Sequence, residues 1–95
     1  MVTPRCEPRQ RSRTGRSRRL RLVSEFASEL RRGIGEAQDA SVAAMAAGHP
    51  YRAYLHRVRL AELLELAARH DVETAALVQP AVRVALAEDR VALEH

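Results

Sequence analysis

The sequence predicts an all-α protein: a small three- to four-helix bundle over residues 22–95, behind a disordered Arg-rich N-terminal arm over residues 1–21. Three observations predict it. Residues 51–69, YRAYLHRVRLAELLELAAR, contain no Gly or Pro and consist largely of strong helix formers. Upstream, Phe26, Leu30, Ile34, Ala37, Ser41 and Ala44 recur at steps of three and four, one stripe along about five turns. Third, the charge is divided. Residues 1–21 hold eight Arg and one Glu, a net of +7, against −3 for the other 74, which together give the formal +4.

The arm comes first. Pro4, Pro8 and Gly15, few apolar residues and strong self-repulsion leave it unable to fold alone. Its arginines, Arg9, Arg11, Arg13, Arg16, Arg18, Arg19 and Arg21, are the candidate nucleic-acid contacts, because a polycation binds phosphates by releasing their counterions. Acidic lipids or an acidic partner would be attracted in the same way. The arm has no aromatic residue for stacking on bases.

The first helix is expected from about Leu22 to Ala47, with Ser24 as its N-cap. Gly33 and Gly35 each cost about 1 kcal/mol of helix propensity relative to Ala, so a kink or break is expected there. From Gly33 to Gly48, ten of sixteen residues are Gly, Ala or Ser, which suits the close approach of another helix. Gly48 is placed at the left-handed C-terminal position, and Pro50 prevents continuation.

The second helix, residues 51–69, is expected to be the central one. At about 100° per residue, Leu60, Leu63, Leu64, Ala67 and Ala68 share a side, while Tyr51, Tyr54, Leu55 and Val58 point elsewhere. Apolar on two sides, it is expected to pack against more than one neighbour, with Tyr51 and Tyr54 covering the end of the core. Asp71 then reads as the cap of a short helical turn over residues 72–78. Pro80 opens a last helix, to about residue 93, with Gln79 as a weak cap and Val82, Ala85, Leu86 and Leu93 facing the bundle. Asp89 and Arg90 interrupt that stripe, so its end is expected to fray.

Composition limits the chemistry. The chain has 46% apolar residues but no Trp, one Phe and two Tyr, so its core is built from Leu, Val and Ala. Small cores of this kind are marginal alone, and self-association is a common remedy. All sixteen basic residues are Arg, a bias expected of a high-G+C genome as well as of a phosphate binder. A lone Cys6 permits neither an internal disulfide nor a Cys-based metal site. His56 and His70, fourteen residues apart on one helix, would stand about 21 Å apart along its axis. His49 is likewise poorly placed to join them at a metal. No serine lies in a nucleophile elbow, and no run reaches the ~18–20 apolar residues a membrane span needs. We therefore expect no catalytic, cofactor-binding or metal-binding residue, no small-molecule substrate and no membrane insertion; the expected setting is the cytoplasm.

A different register competes for residues 67–83. Ala67, Asp71, Val72 and Leu77 match the spacing of a helix-turn-helix unit, with Asp71 at the turn position that Gly usually takes. In that reading Thr74, Gln79 and Arg83 would face DNA, although Pro80 falls inside the recognition helix. The segment GHPYRAYLHRVRLAELLELAARHDVE, with the Val/Ala-rich stretch after it, resembles small helical proteins of unknown function from high-G+C actinobacteria. That resemblance covers residues 36–79 at most. It implies a bacterial cytoplasmic protein and carries no functional residue over; some such proteins accompany mobile elements, which points weakly towards DNA. The leading expectation is a non-catalytic interaction module that self-associates or docks a protein partner, its arm adding attraction to nucleic acid or another polyanion.

Overall fold

The computed structural model describes the backbone of residues 3–94 and the side chains of residues 21–94. Among the described residues the protein has three α-helices and no strand: α1 (Thr3–Ala46), α2 (Pro50–Arg69) and α3 (Pro80–Glu94). A fourth helix does not appear among them. α1 and α2 form an antiparallel hairpin, and α3 lies against it after a loop.

α1 buries the expected stripe. Leu30, Ile34, Ala37, Ser41 and Ala44 are all buried, and Phe26 at the open end of the hairpin is 41% exposed. From α2 the buried set is Ala53, Leu60 and Ala67, a seven-residue repeat that keeps one seam on α1 for about four turns. Leu63 and Leu64 pack against the same core, as the sequence predicts, whereas Ala68 is exposed. Ile34 and Leu60 are fully buried, each worth about 1.5–3 kcal/mol relative to exposure.

The start and interior of α1 differ from expectation. The helix begins at Thr3, so Ser24 is an interior residue rather than an N-cap. The backbone of the arm predicted over residues 1–21 therefore continues α1 from Thr3 onward. The side chains of residues 1–20, including Arg9, Arg11, Arg13, Arg16, Arg18 and Arg19, lie outside the described residues. Nor does α1 break at Gly33 and Gly35. Close packing does not require a glycine at either position: a Cβ at Gly33 would stand 3.5 Å from Leu63 Cδ1, an ordinary contact, and one at Gly35 would meet nothing within 4 Å.

Both helix ends of the hairpin close with a Schellman motif. At the end of α1, Gly48 has φ +79°, Gly48 N donates to Met45 O at 3.0 Å and His49 N to Ala44 O at 2.9 Å. This is the predicted role of Gly48. Pro50 then occupies the first turn of α2, where its missing N–H costs nothing.

At the end of α2 the same motif recurs with a different residue. Asp71 has φ +55°, Asp71 N donates to Ala68 O at 3.3 Å and Val72 N to Ala67 O at 2.9 Å. Asp71 thus ends α2 rather than capping a new helix, and the turn expected over residues 72–78 is not helical. An Asp followed by a Glu has the local appearance of a helix start. Val72 decides otherwise, because the Schellman turn lets it pack on the core.

α2 packs against both α1 and α3, as expected, but its second apolar side is not covered by either. Tyr51 is 72% exposed, Leu55 47% and Val58 38%, so the outer flank of its first half is bare. Tyr51 therefore does not cover the end of the core. The reason is the placement of α3, which reaches α2 beside its buried seam, through Arg57, and leaves the opposite face uncovered.

Candidate functional site

Two polar clusters and two surfaces are candidates for function. The first cluster is centred on Gln38. Its place in α1, one turn after Ile34 and beside Ala37, puts a polar side chain at the edge of the buried stripe, where it is 5% exposed. Gln38 Nε2 donates to Leu77 O at 2.9 Å, and Gln38 Oε1 accepts from Gln79 N at 2.8 Å. One amide thus holds both strands of the loop's last turn and satisfies the backbone N–H just ahead of α3. Ser41 Oγ, also buried, donates to Gln38 O at 2.8 Å, and no buried side-chain polar atom among the described residues lacks a partner.

The second cluster joins α2 to α3. Arg57 Nε donates to Asp89 Oδ2 at 2.7 Å and Arg57 Nη2 to Asp89 Oδ1 at 3.0 Å, a planar fork on a carboxylate. The two side chains are only 14% and 21% exposed. The hydrogen bonds to Asp89 push Arg57 above its ordinary pKa, with burial opposing. This pair explains the interruption of the α3 stripe. Asp89 stands where an apolar residue was expected because it faces Arg57, and α3 continues through it to Glu94 instead of fraying. Val82 is buried and Ala85 and Leu86 half-buried as predicted, but Leu93, a turn beyond the pair, is 75% exposed.

Both clusters are structural in geometry. Their one hydroxyl, Ser41, is buried and donates to Gln38 O, and among the described residues no three His, Cys, Asp or Glu side chains gather as a metal site requires. Among them, too, no helix is long and apolar enough to cross a membrane.

The residues proposed to read DNA do not share one helix. A helix-turn-helix joins its helices by three or four residues, whereas α2 and α3 are separated by the whole of residues 70–79. Thr74 lies in that loop, where its carbonyl accepts from Leu77 N at 2.9 Å. Gln79 immediately precedes α3, its carbonyl accepting from Val82 N and Arg83 N at 3.0 Å each, as a cap residue does. Arg83 folds back over the loop, donating to Val78 O at 3.4 Å and to Ala75 O. Asp71 does adopt the left-handed backbone that the register requires, but it does so as the end of α2.

The surfaces are more suggestive. On one side of the hairpin a shallow groove of about 290 Å³ runs between α1 and α2. Leu30, Gly33 and Leu63 form its apolar part, and Glu29, Arg32, Glu36 and Arg59 carry its charge. Across its open end the Phe26 and His70 rings meet edge to face at 5.0 Å. The second surface is the bare stripe Tyr51–Leu55–Val58 of α2, on the side of the helix opposite Ala53, Leu60 and Ala67. On α1, Val42 and Met45 near the closed end of the hairpin are 43% and 55% exposed. Arg21, the one arm arginine whose side chain is described, is exposed.

Sequence reasoning singled out the apolar residues of α2 but missed Gln38 and the Arg57–Asp89 pair. A polar residue at a stripe position was the available signal in both cases. It shows that something polar is buried but does not name the partner 32 to 41 residues away. Comparison of the chain with protein-family models, with curated proteins and with solved structures gives no match.

Proposed function

We propose that this protein is a non-catalytic helical interaction module, self-associating or partner-docking, whose Arg-rich N-terminal segment adds attraction to nucleic acid or another polyanion. The observation that carries the reading is the exposed stripe Tyr51, Leu55 and Val58. A helix that leaves three large apolar side chains at i, i+4 and i+7 in water while burying the opposite face has a surface suited to another protein. The charge division supports the second half: a net of +7 over residues 1–21 precedes a remainder of net −3. Arg9, Arg11, Arg13, Arg16, Arg18, Arg19 and Arg21 are its proposed phosphate contacts. The resemblance noted from the sequence adds a bacterial cytoplasmic setting.

The helix-turn-helix reading ranks below it. Thr74, Gln79 and Arg83 sit on a loop, at a cap and in a helix, so no single element offers them to a groove.

The test is retardation of duplex DNA by the full chain. Raising salt from about 50 to 200 mM is expected to weaken binding steeply, by roughly a thousandfold if about six phosphates are neutralised. Replacing Arg9, Arg11, Arg13, Arg16, Arg18 and Arg19 by Gln is expected to abolish it. Binding that survives these changes, and instead disappears with Thr74→Ala and Gln79→Ala, would favour the helix-turn-helix reading. Competition by heparin separates a general polyanion binder from a nucleic-acid binder.

A further inference from the structure

We infer that α3 is a hinged latch: it swings about Gln79, is caught by the Arg57–Asp89 fork, and opens as a unit while the α1–α2 hairpin stays folded. The inference concerns motion within the chain, so it stands apart from the interaction-module reading.

The hairpin has a seam of its own, running from Leu30 to Ala44 on α1 and from Ala53 to Ala67 on α2. To this α3 adds one buried side chain, Val82 near its start, with Ala85 and Leu86 half-buried a turn on. From Arg90 to Glu94 every residue is exposed. A helix that buries so little is the kind of segment that opens well below the free energy of global unfolding.

The polar ties are placed as a pivot and a catch. The N–H of Gln79 donates to Gln38 Oε1 at 2.8 Å and so belongs with α1, while its C=O accepts from Val82 N and Arg83 N and so belongs with α3. The dihedrals between those two groups can turn the whole helix, as residues at the ends of elements do in hinges. Gln38 Nε2 also holds Leu77 O, which keeps the loop on α1 when α3 moves. Arg83 adds contacts to Val78 O and Ala75 O, close to the pivot where a swing displaces atoms least. Asp89 stands ten residues from Gln79, about 15 Å along the axis at ~1.5 Å per residue. Among the described residues, its fork on Arg57 is the one hydrogen-bonded ion pair joining α3 to α1 or α2. The catch thus lies far out on the lever. Opening breaks it, takes Leu86 off the core that contains Leu60, and leaves Arg57 without its carboxylate. Once open, a 15-residue helix is marginal in water, so its amides exchange with solvent.

The experiment is native-state hydrogen exchange of the full chain, followed by NMR in the parent, Gly48→Ala and Asp89→Ala. In the parent, amides of residues 84–91 are expected to share one protection factor, roughly tenfold or more below that around Ile34 and Leu60. Urea is expected to speed their exchange less steeply than that of the hairpin, because opening exposes only part of the surface that unfolding does. Gly48→Ala strains a backbone at φ +79°, where an added Cβ meets nothing within 4 Å. It destabilises the open and closed forms alike, so it is expected to speed hairpin exchange about fivefold and leave residues 84–91 unchanged. Asp89→Ala destabilises the closed form alone, the reference for both sets, so both are expected to exchange faster by the same factor, roughly tenfold. Asp89→Asn, which keeps the shape and loses the charge, takes its place where the alanine variant does not fold.

A single protection factor throughout, with Gly48→Ala moving residues 84–91 as much as the hairpin, would show one cooperative unit and overturn the latch. So would protection that declines residue by residue towards Glu94, which is fraying from the end. Residues 84–91 exchanging as in the parent when Asp89 is replaced would overturn the fork as the catch.

Discussion

Gln38 offers the sharpest test of how the fold is held. Its side chain makes two hydrogen bonds to loop backbone, at 2.9 and 2.8 Å, and is 5% exposed. Gln38→Ala removes both. At about 1 kcal/mol each, with water able to reach exposed Leu77 and Gln79, the loss is about 2 kcal/mol. For a domain of this size that lowers Tm by about 8–16 °C. Because the amide ties the loop and the start of α3 to α1, native-state hydrogen exchange is expected to speed up first at Gln79 N–H.

Gln38→Glu makes the same argument through pH. A carboxylate can still accept from Gln79 N but sets a second acceptor against Leu77 O, whereas the protonated acid can donate there. Burial and that lost donor raise the folded-state pKa above the ordinary Glu value of about 4.3. The folded state then binds more protons than the unfolded one, so stability falls as pH rises through this window. Relative to the parent protein, Gln38→Glu is expected to be near neutral at about pH 4 and destabilised by about 2 kcal/mol or more at pH 7. Urea titrations of both proteins across that range measure the difference. A pH-independent difference, or Gln38→Ala within about 0.5 kcal/mol of the parent, would refute the clamp.

Three other expectations follow from the geometry. Asp89→Ala strands the partly buried Arg57 and is expected to cost about 1–3 kcal/mol in denaturant titrations, while Arg57→Met with Asp89→Leu together is expected to cost less than either single change. Arg57→Lys should not rescue the pair, because an ammonium cannot reproduce the fork on Asp89. The two Schellman ends make an opposed pair: Gly48→Ala is expected to lose about 1 kcal/mol, and Asp71→Gly to gain up to about 1 kcal/mol, both read as Tm shifts. At Gly33 the 3.5 Å gap to Leu63 admits a methyl group, so Gly33→Ala is expected to gain up to about 1 kcal/mol and Gly33→Leu to lose stability by forcing Leu63 away.

These residues also mark what could be read before the fold was known. The stripe Leu30–Ile34–Ala37–Ser41–Ala44 and the core side of α2 were legible because helical periodicity is set by neighbours within two turns. So was the hairpin boundary, since Gly48 and Pro50 constrain their own backbone whatever surrounds them. Asp71 was misread from equally local evidence. An Asp ahead of a Glu suits a helix start, and the same residue can take φ +55° at a helix end. Only the burial of Val72 after the turn separates the two, and that burial belongs to the assembled core.

The sequence by itself determined that residues 22–46, 51–69 and 80–93 are helical, where the hairpin turns, and that the second helix carries apolar side chains on two faces. Tertiary structure alone decided that one of those faces stays bare, that Gln38 spans 39 and 41 residues to reach the loop, and that Asp89 displaces an apolar residue to meet Arg57. The division has one physical origin. Backbone preference and helical phase arise within a few residues of chain, while which surface finds a cover depends on where a third helix comes to rest.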